Sequence, residues 1–276
     1  MAMLLMILLV CGALAGALGS LVGLGGGFLI VPVLLYLNKV FPDVSVTAQV
    51  AVGTSLAVVG VVSLSSSIAY YRQRKIDFSS ALLFFAGSGP GTIVGAYLNS
   101  LFSGGAFLIG FGIFMIFVSI LLMFRDKMTK RRNIRWSVVR TWRDPATGEE
   151  MSYGYTRPVA LVSSFFVGIL ASMFGVGGGA LMMPVMLMLF HFPVHLAAAT
   201  SMFMIFLSSI AGSVTHQLYG NIDWLLAAAL APGAWIGGRL GAWLSLRLPM
   251  KAIAVILRIL LVLIGIRLII SGVQMP

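Results

Sequence analysis

Two stretches of the chain, GLGGGFLIVP at residues 23–32 and GVGGGALMMP at residues 175–184, share the form GxGGGxxxxP. Gly23, Gly25, Gly26, Gly27 and Pro32 precede Gly175, Gly177, Gly178, Gly179 and Pro184 by 152 positions in every case. Each copy interrupts a long apolar run. Glycine is the poorest helix former after proline, so three in a row mark a break. The chemistry such a break offers is anion binding by backbone. A helix that restarts after the glycines presents amide N–H groups and the positive end of its dipole. Broken helices of this kind hold substrate in repeat-built transporters. Gly25, Gly26, Gly27, Gly177, Gly178 and Gly179 are therefore the first candidate binding residues. A nucleotide-binding reading of the GxG pattern fails, because no strand precedes it and no P-loop lysine follows.

Hydroxyls come next. Thr54-Ser55 and Thr200-Ser201 lie in the apolar spans that follow the two motifs. Their side chains either supplement the backbone donors around a small oxyanion or bond to the preceding helical turn. Arg239 and Arg258 are basic residues that fall inside spans. Arg239 either snorkels to the head groups or faces a cavity and meets an anion. The acidic residues Asp43, Asp77, Asp126, Asp144, Glu149, Glu150 and Asp223 all fall in loops or at helix ends. A carboxylate proton relay thus has no carrier, and Asp77 and Asp223 read as N-caps. His191, His195 and His216 also fall near helix ends. The single cysteine, Cys11, rules out an intrachain disulfide and a cysteine metal cluster. No catalytic residue, metal site or cofactor is expected.

The elements that must position these residues are membrane helices. Of the 276 residues, 60% are hydrophobic and 9% charged, where soluble proteins carry about 25% charged residues. Apolar stretches near the length of a bilayer span, about 20 residues, recur throughout. The formal charge of +11 does not point to nucleic acid, because nine of the eighteen Lys and Arg lie between Arg125 and Arg157. That clustering is the positive-inside signal of a membrane protein.

The spacing predicts helices over 3–22, 27–38, 45–70, 78–99 and 104–124, a polar segment to 157, and then the same five elements again. Residues 27–38 reach only about 18 Å at about 1.5 Å per residue, too short to cross upright. The pattern is an all-α integral membrane protein of two repeats, each a glycine-broken helix and short half-helix followed by three full spans. The boundaries are 1–124 for repeat 1, 125–157 for the intervening segment and 158–276 for repeat 2. Phe41-Pro42 matches Phe192-Pro193, and Ile76-Asp77 matches Ile222-Asp223. Gly87, Gly91 and Gly95 match Gly233, Gly237 and Gly241, which have GxxxG spacing and read as helix-packing positions.

Charge fixes the expected topology. With the segment from Arg125 cytoplasmic, Arg72, Arg74 and Lys75 are inside, the 219–223 loop is outside, and both termini are outside. An odd number of crossings precedes the second half, so the repeats are inverted. The segment 136–157 alternates Trp136, Val138 and Trp142 with polar residues around a turn-like DPATGEE. It reads as a β-hairpin near the head groups, with a disordered loop as the alternative. The N-terminal apolar stretch lacks a basic n-region and has a counterpart at 158–174, so it reads as part of the fold.

The paired glycine motifs, the Thr-Ser dipeptides and the GxIDW-type loop at 220–224 make the chain resemble the TauE/SafE sulfite exporter family of bacterial membrane proteins. The resemblance covers residues 10–270 except the hairpin segment. It implies a multi-pass protein of the bacterial cytoplasmic membrane that exports a small sulfur-containing anion, sulfite or an organosulfonate, and is not an enzyme. By that likeness Gly25–Gly27, Pro32, Thr54, Ser55 and their counterparts fall at the family's motif positions. The first half departs from the pattern with RKID at 74–77, where the second half has GNID. The expected partners are a small anion and the lipid bilayer, with no nucleic acid, and homo-oligomerisation stays open. The alternatives are uptake of a related oxyanion, or a non-transporting membrane scaffold that packs the space between its halves with apolar side chains.

Overall fold

The computed structural model describes residues 2–41, 45–102, 104–124, 136–143, 148, 150–245, 247 and 250–274. Pro42, Asp43, Asp126, Asp144, Glu149 and the basic run 125–135 lie outside the described residues. Among the described residues ten helices and one hairpin run in the order α1 (Ala2–Val22), α2 (Gly27–Val40), α3 (Ala48–Arg72), α4 (Phe78–Leu101), α5 (Gly104–Phe124), β1 (Val138–Arg143), β2 (Glu150–Tyr155), α6 (Arg157–Phe174), α7 (Gly179–Met188), α8 (Val194–Leu218), α9 (Trp224–Leu244) and α10 (Met250–Val273). Among the described residues seven helices are long and apolar enough to cross a membrane: α1, α3, α4, α5, α6, α8 and α9. The protein is a multi-pass membrane protein.

Side-chain caps fix several helix starts. Thr47 accepts from the Val50 amide at the head of α3, Asp77 from Ser80 at α4, and Asp223 from Leu225 and Leu226 at α9. The two short helices are unequal. α2 has 14 residues and α7 has 10, so α7 reaches only about 15 Å. Asn38, near the end of α2, pins the chain beyond it by exchanging two 2.7 Å hydrogen bonds with the Val46 backbone.

In lipid, helices associate by close packing of small residues, and here that packing exchanges partners between the halves. α1 lies along α9, and α6 lies along α4. A β-carbon on Gly237 or Gly241 would stand 2.1 or 2.2 Å from the carbonyl oxygens of Ala13 and Ala17 in α1. One on Gly91 or Gly95 would stand 2.2 Å from those of Phe165 and Ile169 in α6. The GxxxG residues are thus the contact surface, as the spacing predicts. α5 packs on α10 in the same way, with Gly112 against Gly265.

At the centre α3 packs on α8, and the two run antiparallel. The start of α3 meets the end of α8, where Gly53 abuts His216 and Asn221. Beyond the end of α3, the Asp77 amide reaches Thr200 near the start of α8. The hairpin pairs β1 and β2 antiparallel, from Val138 opposite Tyr155 to Arg143 opposite Glu150. It covers one end of the bundle. The Gly154 amide donates to the Phe190 carbonyl between α7 and α8, and Tyr155 packs on Phe84 of α4 and on Phe190.

Candidate functional site

The two glycine turns touch one another. A β-carbon on Gly27 would lie 2.2 Å from the Gly175 oxygen and 2.8 Å from Val176 Cα. Gly25 and Gly177 both lie against Val59 of α3 and Ile205 of α8. The backbone there is left-handed, with φ of 86° and 87° at Gly25 and Gly26 and of 79° and 78° at Gly177 and Gly178. Residues with a Cβ pay about 1–2 kcal/mol for that conformation, which is why glycine occupies these four positions.

From this crossing α2 and α7 set out with Gly26 and Gly178 as N-caps. Neither has a side-chain cap, and neither helix has an acidic residue in its first turn. The first amides of a helix have no acceptor within it, so two positive helix ends sit next to each other without a carboxylate to offset them. The Gly23 and Gly175 carbonyls, each at the turn that follows α1 or α6, are occupied by hydroxyl donors. Ser55 Oγ donates to the Gly175 oxygen at 2.8 Å, and Ser201 Oγ to the Gly23 oxygen at 3.0 Å. The arrangement ties off these two acceptors beside the adjacent helix starts.

Thr54, Ser55, Thr200 and Ser201 are fully buried, and apart from one local bond of Ser201 their hydroxyls pair with backbone of the opposite half. Thr54 Oγ1 accepts the Asp223 amide at 2.9 Å, and Thr200 Oγ1 accepts the Asp77 amide at 3.1 Å. Each threonine holds the N-cap loop of the opposite half. Each serine holds the glycine turn of the opposite half, and Ser201 also bonds locally to Ala198. The dipeptides are brought to the crossing as fasteners between the halves.

Arg239 is not brought there. Gly237, Gly238 and Gly241 form the buried face of α9, while Arg239 is exposed beside Ile236 and Leu240. Of its two expected roles, this position favours snorkelling to the head groups over facing a cavity between the halves. Its neighbours are outward-facing apolar side chains, the setting in which a long cationic side chain snorkels. Arg258 of α10 donates to the Leu122 carbonyl of α5.

The crossing itself is closely packed, with Leu24, Val176, Phe28, Phe114, Met115 and Leu261 meeting around it. A polar cavity of about 450 Å³ lies instead at the hairpin end. Arg74, Ile76 and Asp77 line it from the first half, Leu196 from the second, and Arg140, Thr141, Trp142 and Tyr153 from the hairpin. Within it Asp77 forms a 2.8 Å ion pair with Arg140 and accepts from Tyr153 Oη at 2.9 Å. Burial and then the Asp77 carboxylate push the Tyr153 phenol above its ordinary range, so it stays protonated and donates. Arg74, Arg140 and Tyr153 were not singled out by spacing. The departure of RKID from GNID marks Arg74, while the repeat carries no signal for Arg140 or Tyr153.

The family described as sulfite exporter TauE/SafE matches residues 8–268. The chain is 48% identical to the probable membrane transporter protein YunE of Bacillus subtilis, covering 97% of this chain and 98% of that one. It is 31% identical to a probable membrane transporter protein of Methanocaldococcus jannaschii over 78% of this chain and 73% of the other. A probable membrane transporter protein of Xylella fastidiosa is 26% identical over 86% and 83% of the two chains. No solved structure matches the chain. With the paired glycine turns and the match over nearly all of its length, the chain belongs to the sulfite exporter TauE/SafE family of membrane proteins.

Proposed function

We propose that the protein is a transporter that moves a small sulfur-containing anion, sulfite or an organosulfonate, out of the cell across the cytoplasmic membrane. The observation that carries this reading is the meeting of two uncapped helix starts at the glycine crossing, with no acidic residue in either first turn. Such a pair of positive ends favours an anion over a cation. Family membership and the relatives' description as probable membrane transporters support it.

The site sits, in this reading, where two inverted repeats meet. The exchanged packing of α1 on α9 and α6 on α4, and the antiparallel α3 and α8, support that arrangement. The charge asymmetry supports an orientation with the hairpin inside and both termini outside.

The membrane potential is sufficient to drive export. One charge moving through 100 mV gains about 2.3 kcal/mol, so a dianion leaving an inside-negative cell gains about 4.6. At about 1.4 kcal/mol per factor of ten, this sustains a gradient of about a thousand-fold or more. The test is radiolabelled sulfite flux from proteoliposomes under an imposed potassium diffusion potential, with no sodium and equal pH. Export is expected to follow the potential. Flux of sulfite in the opposite sense under physiological polarity identifies uptake, and absence of flux for sulfite and competing sulfonates overturns the reading.

A further inference from the structure

We propose that the cavity under the hairpin is an anion-binding vestibule in which Arg74 and Arg140 receive a small oxyanion, and in which Asp77 holds the place of that anion on Arg140. The proposal rests on the transport reading for its substrate class, but its test does not depend on flux.

The first observation is charge. Two guanidinium groups, the Tyr153 phenol, the Thr141 hydroxyl and the Trp142 ring share one cavity of about 450 Å³. Guanidinium groups match the oxygens of a sulfur or phosphorus oxyanion with paired donors. The volume accommodates an ion of that size with water around it.

The second observation is the Asp77 carboxylate. It accepts four hydrogen bonds: from the Ser80 amide at 3.2 Å, Ser80 Oγ at 2.5 Å, Tyr153 Oη at 2.9 Å and Arg140 Nη1 at 2.8 Å. Three donors remain if Arg140 turns away. Asp77 therefore keeps three donors without the arginine, and the partly exposed Arg140 is available to an anion that enters the cavity. An incoming oxyanion takes the place of the carboxylate on Arg140, and Asp77, which stays beside it, opposes that binding by its charge.

The third observation is backbone conformation. Arg74 has φ of 55°, the left-handed region, and its counterpart in the second half is Gly220 with φ of 70°. Glycine fits that turn without strain, and arginine does not. A strained residue kept at the rim of a polar cavity points to a use for its side chain. The second half, which has no hairpin, keeps the glycine.

The test is equilibrium binding of radiolabelled sulfite, handled without oxygen, to the detergent-purified full chain, alongside its melting temperature and proteoliposome flux. Arg74→Gly is expected to raise the melting temperature while weakening sulfite binding about tenfold, the loss of one charge-assisted contact. Arg140→Gln is expected to weaken binding similarly. Asp77→Asn keeps the N-cap and removes the competing charge, so it is expected to tighten binding severalfold. Arg239→Gln, which removes one positive charge from the exposed face of α9, is the control and is expected to bind as the parent does. Unchanged affinity in Arg74→Gly and Arg140→Gln, or no sulfite binding by the parent, overturns the vestibule. Binding that follows this pattern without any flux overturns the transport reading and leaves the vestibule standing.

Discussion

Val59 and Ile205 occupy equivalent places from opposite halves: each lies beside both Gly25 and Gly177. A methyl group on Gly177 would come within 2.4 Å of Val59 Cγ1, and one on Gly25 within 3.1 Å of the same atom. Two β-branched side chains thus form the floor on which the glycine turns rest. The amide ends of α2 and α7 are held near one another by packing, with no capping side chain in between.

The two turns are not equally tolerant. A β-carbon on Gly26 would stand 2.4 Å from the Ala15 oxygen, while one on Gly178 finds its nearest neighbour, Met204 Cε, at 3.4 Å. Both alanine variants carry the left-handed cost of about 1–2 kcal/mol, and Gly26→Ala adds a backbone collision worth about 1–3 kcal/mol more. Gly178→Ala is expected to fold with a modest drop in melting temperature and reduced sulfite flux. Gly26→Ala is expected to melt far lower. Equal melting of the two disproves the asymmetry.

The threonines are expected to matter for stability and not for affinity. Thr54→Val leaves the part-buried amide of Asp223 without its acceptor and Thr200→Val the buried amide of Asp77, at a cost of up to about 1–3 kcal/mol, larger for Thr200. Thr→Ser at either position should recover most of the loss. The two sites serve different loops, so the double variant is expected to lose the sum. Weaker sulfite binding in a variant that melts normally would show instead that the hydroxyls touch the anion.

Topology is testable by cysteine labelling in a Cys11→Ser background. Thr141 lies exposed in the hairpin, and Tyr219 lies exposed between α8 and α9. A membrane-impermeant maleimide added outside intact cells is expected to label Tyr219→Cys and to spare Thr141→Cys until the membrane is opened. The reverse pattern removes the charge-based orientation.

Much of this was legible in the sequence, because the repeat prints each motif twice. The glycine breaks, the N-cap aspartates and the GxxxG faces follow from residue type and spacing alone. The partners of Thr54 and Ser55 were not legible. They lie 169 and 120 positions away, and a helical period says nothing about which half supplies a neighbour. Arg239 was more readable than the span position implied. It lies two residues beyond Gly237, about 200° round the helix, and so opposite the face that Gly233, Gly237 and Gly241 define. The cavity under the hairpin was hidden for another reason. It depends on Arg74 adopting a backbone conformation that its residue type disfavours, and on a hairpin without a counterpart in the repeat.

The exchange of α1 onto α9 also sets a constraint on synthesis. The ribosome makes α1 first, yet the helix that its Gly12 and Gly16 fit, against Leu230 and Ala234, is made more than 200 residues later. Until then the nascent first half lies in the bilayer with its small-residue stripe turned to lipid. α6 meets a finished α4 as soon as it emerges. Assembly therefore closes from the second half backwards, and a ribosome that stops before α9 leaves a first helix with no place to dock.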